Sequence, residues 1–581
     1  MERGSRINAI RVASVNYYIT HMKIIGYHHH HDASWCTLED GIVTKHVELE
    51  RVLRTKEPMG NPIHAYMFER EFVKPDVAVS CYPQHLSRDI HITSVLDTIG
   101  IDKVHLYSHH LAHAAHAFYS SQMKDALIFT IDGGGIDDEH GNEITTGVYH
   151  GHDNKIDFVG HFPGVNVGTV WSRATRFIFR LESGFPQGNC CGTVMALAAF
   201  GDSQKYIGEI RTWFNGETNR RVCQAPEGHV KGMSAKDPRS PKHPYIGKFE
   251  YIAKSSFEET CNIAASLQLA TEEYIYNIML HAGVEKVENV CVSGGVALNS
   301  LMTGKIQKWF PNVKNVFVPP VPYDGGLCLG CCSYHWHHIL DNPRIYTSHS
   351  FSPYMGNSYT ESDVLKALDF YKDKVEVNSH VLRTKANCCT VSKGVLKFNR
   401  TTDDLVIDML LDQKIVSIFQ GRSECGRRAL GNRSIVADPR SLSMKDLINE
   451  KVKHRQAFRP FAPSVLKEKA NEWFEGTIDS PYMGFTANVK EEKRNLIPAV
   501  IHVDGTARLQ TVEKETNPFW HKFLTLWEQK SGVPILLNTS QNDRSPIVDS
   551  PDDAVRCFLG TDIDALYFPE FRIIVTKRET K

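Results

Sequence analysis

Between Ser108 and Gly135 the chain reads SHHLAHAAHAFYSS and then, beyond a short polar joint, ALIFTIDGGG. A histidine-rich helix followed by an apolar strand that runs into an acid and three glycines limits the fold more than any other feature. A helix brings residues four apart onto one face, so His109 and His113 project together as a two-histidine metal clip. The apolar run Ala126 to Ile131 predicts a buried strand of a parallel sheet that ends at Asp132. In open α/β sheets the ligand crevice lies beyond the carboxyl ends of the strands, so His109, His113 and Asp132 are expected to converge there. One helical histidine is more often a satisfied core group than a ligand; the spacing and the nearby carboxylate tip this pair toward a metal. His110 and His116 compete for the same role and rank below it. The run His28 to His31 is not placed like a purification tag, because it follows the strand-like Met22 to Tyr27 and leads directly into Asp32.

With 581 residues the chain exceeds what one core usually holds, and two or more domains are expected. Its 66 basic and 67 acidic residues leave a formal net charge of −1, so no overall field draws it to nucleic acid or to anionic membranes, a local basic groove apart. No membrane-spanning apolar run and no secretory leader is evident, which predicts a protein in solution in the cytoplasm. The 14 cysteines lack zinc-finger spacing and are expected to be reduced thiols in packed positions.

In chain order, residues 1–21 carry no core pattern and read as a disordered extension. MKIIGY, SWCTLED and IVTKHVELE then predict three strands joined by tight turns. Thr260 to Ala282 has helical periodicity. ENVCVSGGVALN predicts a second strand-and-glycine unit, with Gly294 and Gly295 letting a ligand approach the backbone. KNVFVPPVPYDGG is a third, ending at Asp324. After Cys332 the composition turns polar and aromatic, and residues 341–400 read as linker and insertion with one helix at VLKALDFY. IVSIFQ predicts a strand opening a last unit, whose many arginines alternate with glycines; guanidinium forks on loops suit a polyphosphate site.

These motifs carry a resemblance. HHLAHAAHAFYSS with IDGGG, and MKIIGYHHHHDAS with ELERVLRTK, resemble the O-carbamoyltransferase family of nodulation proteins and antibiotic tailoring enzymes. FQGRSECGRRALGNRSIVADPR, FRPFAPSV, HVDGTARLQTV and LLNTSQN follow in the family's order. The resemblance implies an α/β protein: a duplicated actin-like carbamoyl-transfer domain over residues 22–340 and a smaller α+β YrdC-like domain over 401–581 that forms carbamoyl adenylate. It completes the metal set His109, His113, Asp132 with Asp324. Two imidazoles and two carboxylates suit iron(II), manganese or zinc, and family precedent favours iron.

It further implies co-substrates ATP, carried with Mg²⁺, and carbamoyl phosphate. Their contacts would come from Lys453 and Arg455 of a Lys-x-Arg pair, Ser540 and Asn542 of a Ser-x-Asn pair, and Arg428, Arg459 and Arg508. His31 aligns with a family histidine as general base, with Asp32 as its helper, and Lys56 stands where the family has a functional lysine. Gly294, Gly295 and Asn299 are expected to hold carbamoyl adenylate. His28, His29 and His30, at the mouth of the first hairpin, are expected to bind an acceptor hydroxyl on a small molecule, nucleobase or nucleotide; a homodimer is the expected assembly. The chain departs from the family at Thr193, where lysine is usual, at Ala196, where glycine is usual, and at Arg427, where proline is usual; the loop after Asn542 is one residue shorter. Rival readings are a tRNA threonylcarbamoyl-type enzyme and an actin-like ATPase without transferase activity. The near-neutral charge weighs against the first, and the metal set with a complete Lys-x-Arg/Ser-x-Asn site against the second.

Overall fold

A computed structural model describes residues 21–69, 72–82, 86–184, 188–377, 389–392, 395–398, 401–476 and 479–578. The extension expected over 1–21 lies almost wholly outside the described residues, as does part of the insertion.

Two five-stranded sheets make up the amino-terminal half. The first contains β1 (Lys23–His28), β2 (Ser34–Glu39), β3 (Ile42–Glu48), β4 (Val77–Cys81) and β5 (Val104–Tyr107), in the order β3-β2-β1-β4-β5. The second contains β6 (Asp125–Ile136), β7 (Glu143–His152), β8 (Lys155–His161), β9 (Asn289–Ser293) and β10 (Asn315–Phe317), in the order β8-β7-β6-β9-β10. In both, the first three strands form an antiparallel meander and the last two add in parallel beside the first. The same topology twice in one chain is the duplicated actin-like architecture that the resemblance implies. It makes β1 and β6 equivalent, so the turns after His28 and at Asp132 occupy matching positions.

Three helices matter to the site: the short α1 (Leu49–Leu53), α2 (His109–Ser120) and α3 (Leu327–Tyr334). α2 packs on β6 and β9, and α3 packs on β1 and β2 and against α2. Glycine allows the close crossing. A Cβ on Gly330 would sit 1.8 Å from the Ala112 carbonyl oxygen, and one on Gly26 of β1 would sit 2.5 Å from the Cys328 carbonyl oxygen. The Ser108 hydroxyl caps α2 by accepting the Leu111 N–H at 3.1 Å, and Asp137 accepts the His110 N–H at 3.0 Å, which fixes the first turn and its His109.

The expected end of β6 at Asp132 is corrected. The strand runs on to Ile136, with its pairing to β7 shifted between Ile131 and Gly135, because Gly134 takes φ +109 and lets the backbone bulge. Asp132 therefore sits on a kink within a strand. β6 is also parallel only to β9 and antiparallel to β7.

The carboxy-terminal half is built on an eight-stranded mixed sheet. Its strands are β11 (Val375–Val377), β12 (Val416–Phe419), β13 (Arg433–Ala437), β14 (Ala462–Leu466), β15 (Gln510–Val512), β16 (Ile535–Ser540), β17 (Ala565–Phe568) and β18 (Ile573–Lys577). The order is β11-β18-β17-β12-β13-β16-β14-β15. Since β11 is an edge strand of this sheet, part of the stretch read as linker belongs to the carboxy-terminal unit. The preceding segment is no tether either. Arg344 donates to the carbonyls of Phe118, Ser121 and Met123 at 2.7–2.8 Å, and Ser350 N–H reaches Glu513 at 2.9 Å. Its polar composition hides this, because many of its ties are hydrogen bonds to and from backbone groups.

Candidate functional site

The donors of His109, His113, Asp132 and Asp324 all lie within 4.8 Å of one another. His109 Nε2 and His113 Nε2 each stand 3.2 Å from Asp132 Oδ2, and they are 3.6 and 3.4 Å from Asp324 Oδ1. Successive turns of α2 present the two imidazoles, the kink in β6 presents Asp132, and Asp324 opens the turn before α3. Glycines fix three sides of this group. The Gly295 N–H donates to Asp132 Oδ1 at 3.0 Å, and Gly294, at φ +88, lies against the Ile131 backbone. A Cβ on Gly135 would fall 2.0 Å from Cγ of His109. Burial alone would lower the His113 pKa, but the two carboxylates more than reverse this and raise it to about 10. Burial likewise opposes ionisation of Asp132, and hydrogen bonds from His109 and His113 carry its pKa well below the usual carboxylate value. Two imidazole nitrogens and two carboxylates converging in a buried site fit a borderline divalent cation.

The competing histidines are structural. His110 bridges Thr130 Oγ1 and the Ile144 carbonyl at 2.8 Å each, and burial lowers its pKa to about 3. His116 contacts Ser120 Oγ at 3.2 Å and is likewise lowered to about 3 by burial.

The turn after β1 meets this group. His31 Nε2 is 3.3 Å from Asp324 Oδ2, and its Nδ1 is 3.1 Å from Asp32 Oδ2. Burial opposes the charge on His31, but Asp324 and then Asp32 raise its pKa to about 10. Asp32 holds φ +61, a left-handed conformation that costs a non-glycine residue about 1 kcal/mol or more. His28, His29 and His30 are buried rather than exposed at a hairpin mouth, and His28 Nε2 lies 3.8 Å from Asp324. Lys56 is half-buried beside Gly188, whose added Cβ would meet the lysine chain at 2.7 Å.

Asn299 is turned away from any ligand role. Its carboxamide caps the helix Ser300–Thr303 through the Met302 N–H at 3.2 Å and donates to Gln268 at 2.9 Å, which commits it to the core.

A second constellation lies in the carboxy-terminal half. Lys453 Nζ donates to the Ser540 carbonyl and Asn542 Oδ1 at 2.6 Å each and to the Asn542 carbonyl at 2.9 Å, so the Lys-x-Arg and Ser-x-Asn pairs meet. Ser540 Oγ bonds Asn542 Oδ1 at 2.7 Å. Arg455 donates to Asn449 Oδ1 at 2.8 Å and stacks over Phe461. Among the described residues, none of Arg428, Lys453, Arg455, Arg459 and Arg508 forms an ion pair with a carboxylate. Burial, then Arg455, holds Lys453 well below its ordinary pKa; burial, then Arg428, Arg455 and Arg459, does the same to Arg508. Burial and neighbouring Arg427 lower Arg428 to about 10. Such a cluster is a preformed seat for a polyanion.

Sequence reasoning missed Glu57, Tyr323 and the position of Arg427. Arg427 reaches from the carboxy-terminal half to Asp32 Oδ1 at 2.6 Å and to Glu57 Oε1 at 2.8 Å. The one signal in the sequence was the arginine in place of the family's usual proline.

Against known families, the pattern described as "Carbamoyltransferase N-terminus" matches residues 64–332 and "Carbamoyltransferase C-terminus" matches 407–575. The chain belongs to the carbamoyltransferase family. It is 31% identical over 494 residues to Nodulation protein NolO of Bradyrhizobium diazoefficiens, covering 81% of this chain and 79% of that protein. It is 30% identical over 546 residues to Nodulation protein NolNO of Sinorhizobium fredii, covering 90% and 69%. The crystal structure of T. kodakarensis HypF aligns with 15% identity and a TM-score of 0.33, over 55% of this carbamoyltransferase and 48% of HypF. No helix among the described residues is long and apolar enough to cross a membrane.

Proposed function

We propose that this carbamoyltransferase works in two stages at its two constellations. In the carboxy-terminal half, water cleaves carbamoyl phosphate to carbamate and phosphate, and a carbamate oxygen then bonds the α-phosphorus of ATP as pyrophosphate leaves, giving carbamoyl adenylate. In the amino-terminal half, the carbamoyl group passes to an acceptor hydroxyl and AMP leaves. The observation that carries this reading is the presence, in one chain of this family, of a cluster of five cations that among the described residues form no ion pair with a carboxylate and a separate buried centre of two imidazoles and two carboxylates.

Lys453, Arg455, Arg459, Arg508 and Arg428 neutralise the phosphates and favour the charge that builds on the departing pyrophosphate. Ser540 and Asn542 hold the Lys453 ammonium in place. His31 takes the proton of the attacking hydroxyl as its oxygen bonds the carbamoyl carbon, with Asp32 keeping Nδ1 protonated so that Nε2 accepts. The bond from carbon to the adenylate oxygen breaks, its electron pair leaves with AMP, and Lys56 balances that charge. A divalent cation, iron(II) on the family precedent, held by His109, His113, Asp132 and Asp324, would polarise the carbamoyl carbonyl and offset the Asp324 charge that otherwise keeps His31 protonated. Gly294 and Gly295 open the backbone beside the adenylate. Burial of the transfer centre limits loss of the reactive intermediate to water. The buried imidazoles of His28, His29 and His30 favour a planar, polar acceptor such as a hydroxylated nucleobase over an apolar scaffold.

The test is formation of AMP and pyrophosphate from ATP that requires carbamoyl phosphate and needs neither threonine nor tRNA. Activity that depends on threonine and tRNA, or ATP hydrolysis indifferent to carbamoyl phosphate, would overturn the reading.

A further inference from the structure

The loop 424–428 of the carboxy-terminal half is inserted between α1 and the turn before Asp324. Arg51 donates to the carbonyls of Gly426 at 2.7 Å and Glu424 at 3.3 Å, and Glu48 accepts the Gly426 N–H at 2.9 Å. Gly426 itself stands at φ +85, and any Cβ there would lie 2.4 Å from the Pro320 carbonyl oxygen. The loop backbone is thus pinned on both sides, and the direction in which Arg427 leaves it is fixed.

Its guanidinium is held on three sides. Asp32 and Glu57 receive it at 2.6 and 2.8 Å, and it stacks 4.3 Å over the ring of Tyr323, the residue before Asp324. Glu57 is itself tied to the Asn189 N–H at 2.9 Å. Asp32 is divided between two partners: Oδ1 faces Arg427 and Oδ2 faces His31. Its side chain is 6% exposed, beside the carboxylates of Glu57 and Glu50. Without the guanidinium its one charged partner would be His31, and Oδ1 would be left buried beside the carboxylates of Glu57 and Glu50, in a strained backbone conformation.

We propose that Arg427 is a positioning residue of the transfer site, contributed by the opposite half of the chain. It holds Asp32 in the left-handed conformation that aims His31 at the reacting hydroxyl. This rests on the assignment of His31 as base. It also goes beyond that assignment, because it makes the base competent only while the two halves are docked. The position is one where the family resemblance predicts proline.

The experiment measures AMP release from chemically supplied carbamoyl adenylate, with water as the acceptor. Arg427→Gln should lower kcat by about 100-fold and leave KM within about 3-fold, the size of a general-base contribution. Arg427→Lys, which keeps the charge and loses the fork, should recover about 10-fold of that loss. In an Asp32→Asn background the same Arg427→Gln change should cost nothing further. A rise in KM at constant kcat, or independent losses in the double variant, would overturn the proposal. Crystals of Arg427→Gln test the geometry without the reaction: Asp32 should leave φ near +61 and His31 should part from it. An unchanged dyad refutes the positioning role, whereas a wild-type protein that releases no AMP refutes the assignment of the reaction instead.

Discussion

At the junction of the two amino-terminal sheets, two imidazoles face two carboxylates at 3.2–3.6 Å, whereas around Lys453 the cations meet carbonyls, an amide, a hydroxyl and a ring, with no carboxylate in ion-pair contact among the described residues. The first group sets two imidazoles against two carboxylates in one pocket, a donor set that suits a small divalent cation. The second lacks that matching, and burial with neighbouring cations holds Lys453 and Arg508 below their ordinary values. The difference makes the two halves suited to opposite kinds of charge, and on the proposed function their chemistry should fail separately.

The largest separation is expected from His113→Ala. AMP release from carbamoyl adenylate should fall by about 1000-fold or more, while pyrophosphate release from ATP and carbamoyl phosphate continues. Loss of both activities in a folded protein would merge the two sites into one. The converse change, Lys453→Ala or Arg508→Ala, removes a charge-assisted contact of about 1.5–3 kcal/mol, so activation should drop by roughly 10–100-fold. Consumption of supplied carbamoyl adenylate should persist in both variants, and equal damage to it would break the contrast.

Gly135→Ala tests the packing around the metal donors without removing any of them. The added methyl must push the His109 ring aside, and affinity for a divalent cation should weaken by about 10–100-fold, read by titration with cobalt(II). Unaltered affinity would show that the glycine does not set the ring.

The smallest effect is a pH dependence. His113 and His31 both rise from 6.5 to about 10 in the metal-free protein, so the stabilisation they give is complete below about 6.5 and is lost as pH climbs through about 10. Thermal unfolding of metal-free protein should therefore move to lower temperature between pH 7 and 10. A metal-loaded sample, whose donors carry no such protons, should hold steadier over that interval. Parallel curves would mean that protons and metal do not compete for this centre.

Much of the first constellation was legible in the sequence, because helical spacing and a strand end are local signals. His109, His113 and Asp132 needed only periodicity, and Asp324 needed the family's order of motifs. The kink that carries Asp132 was hidden, since three glycines license a turn and a bulge equally. The structural roles of His110 and Asn299 were hidden as well: Thr130, the Ile144 carbonyl and Gln268 reach them from other elements. For the second constellation, sequence order identified the members but not their electrostatics, which arise only when segments from 428 to 542 fold together. Arg427 was least legible. Its partners are Asp32 and Glu57, and no periodicity relates residues hundreds of positions apart.

The segment around Arg344 bears on how this chain can be divided. Its guanidinium closes the carboxyl end of α2, and a few residues later the chain bonds to Glu513; Tyr354 then donates to the Leu430 carbonyl at 2.8 Å. A gene split on either side of it hands one fragment the strap and leaves the other with an open helix end or with a Glu513 that keeps only Lys467 and Thr516 as partners. Separately produced halves should therefore reassemble only when the strap is present on one of them, and circular permutants should tolerate new termini elsewhere better than between residues 344 and 354.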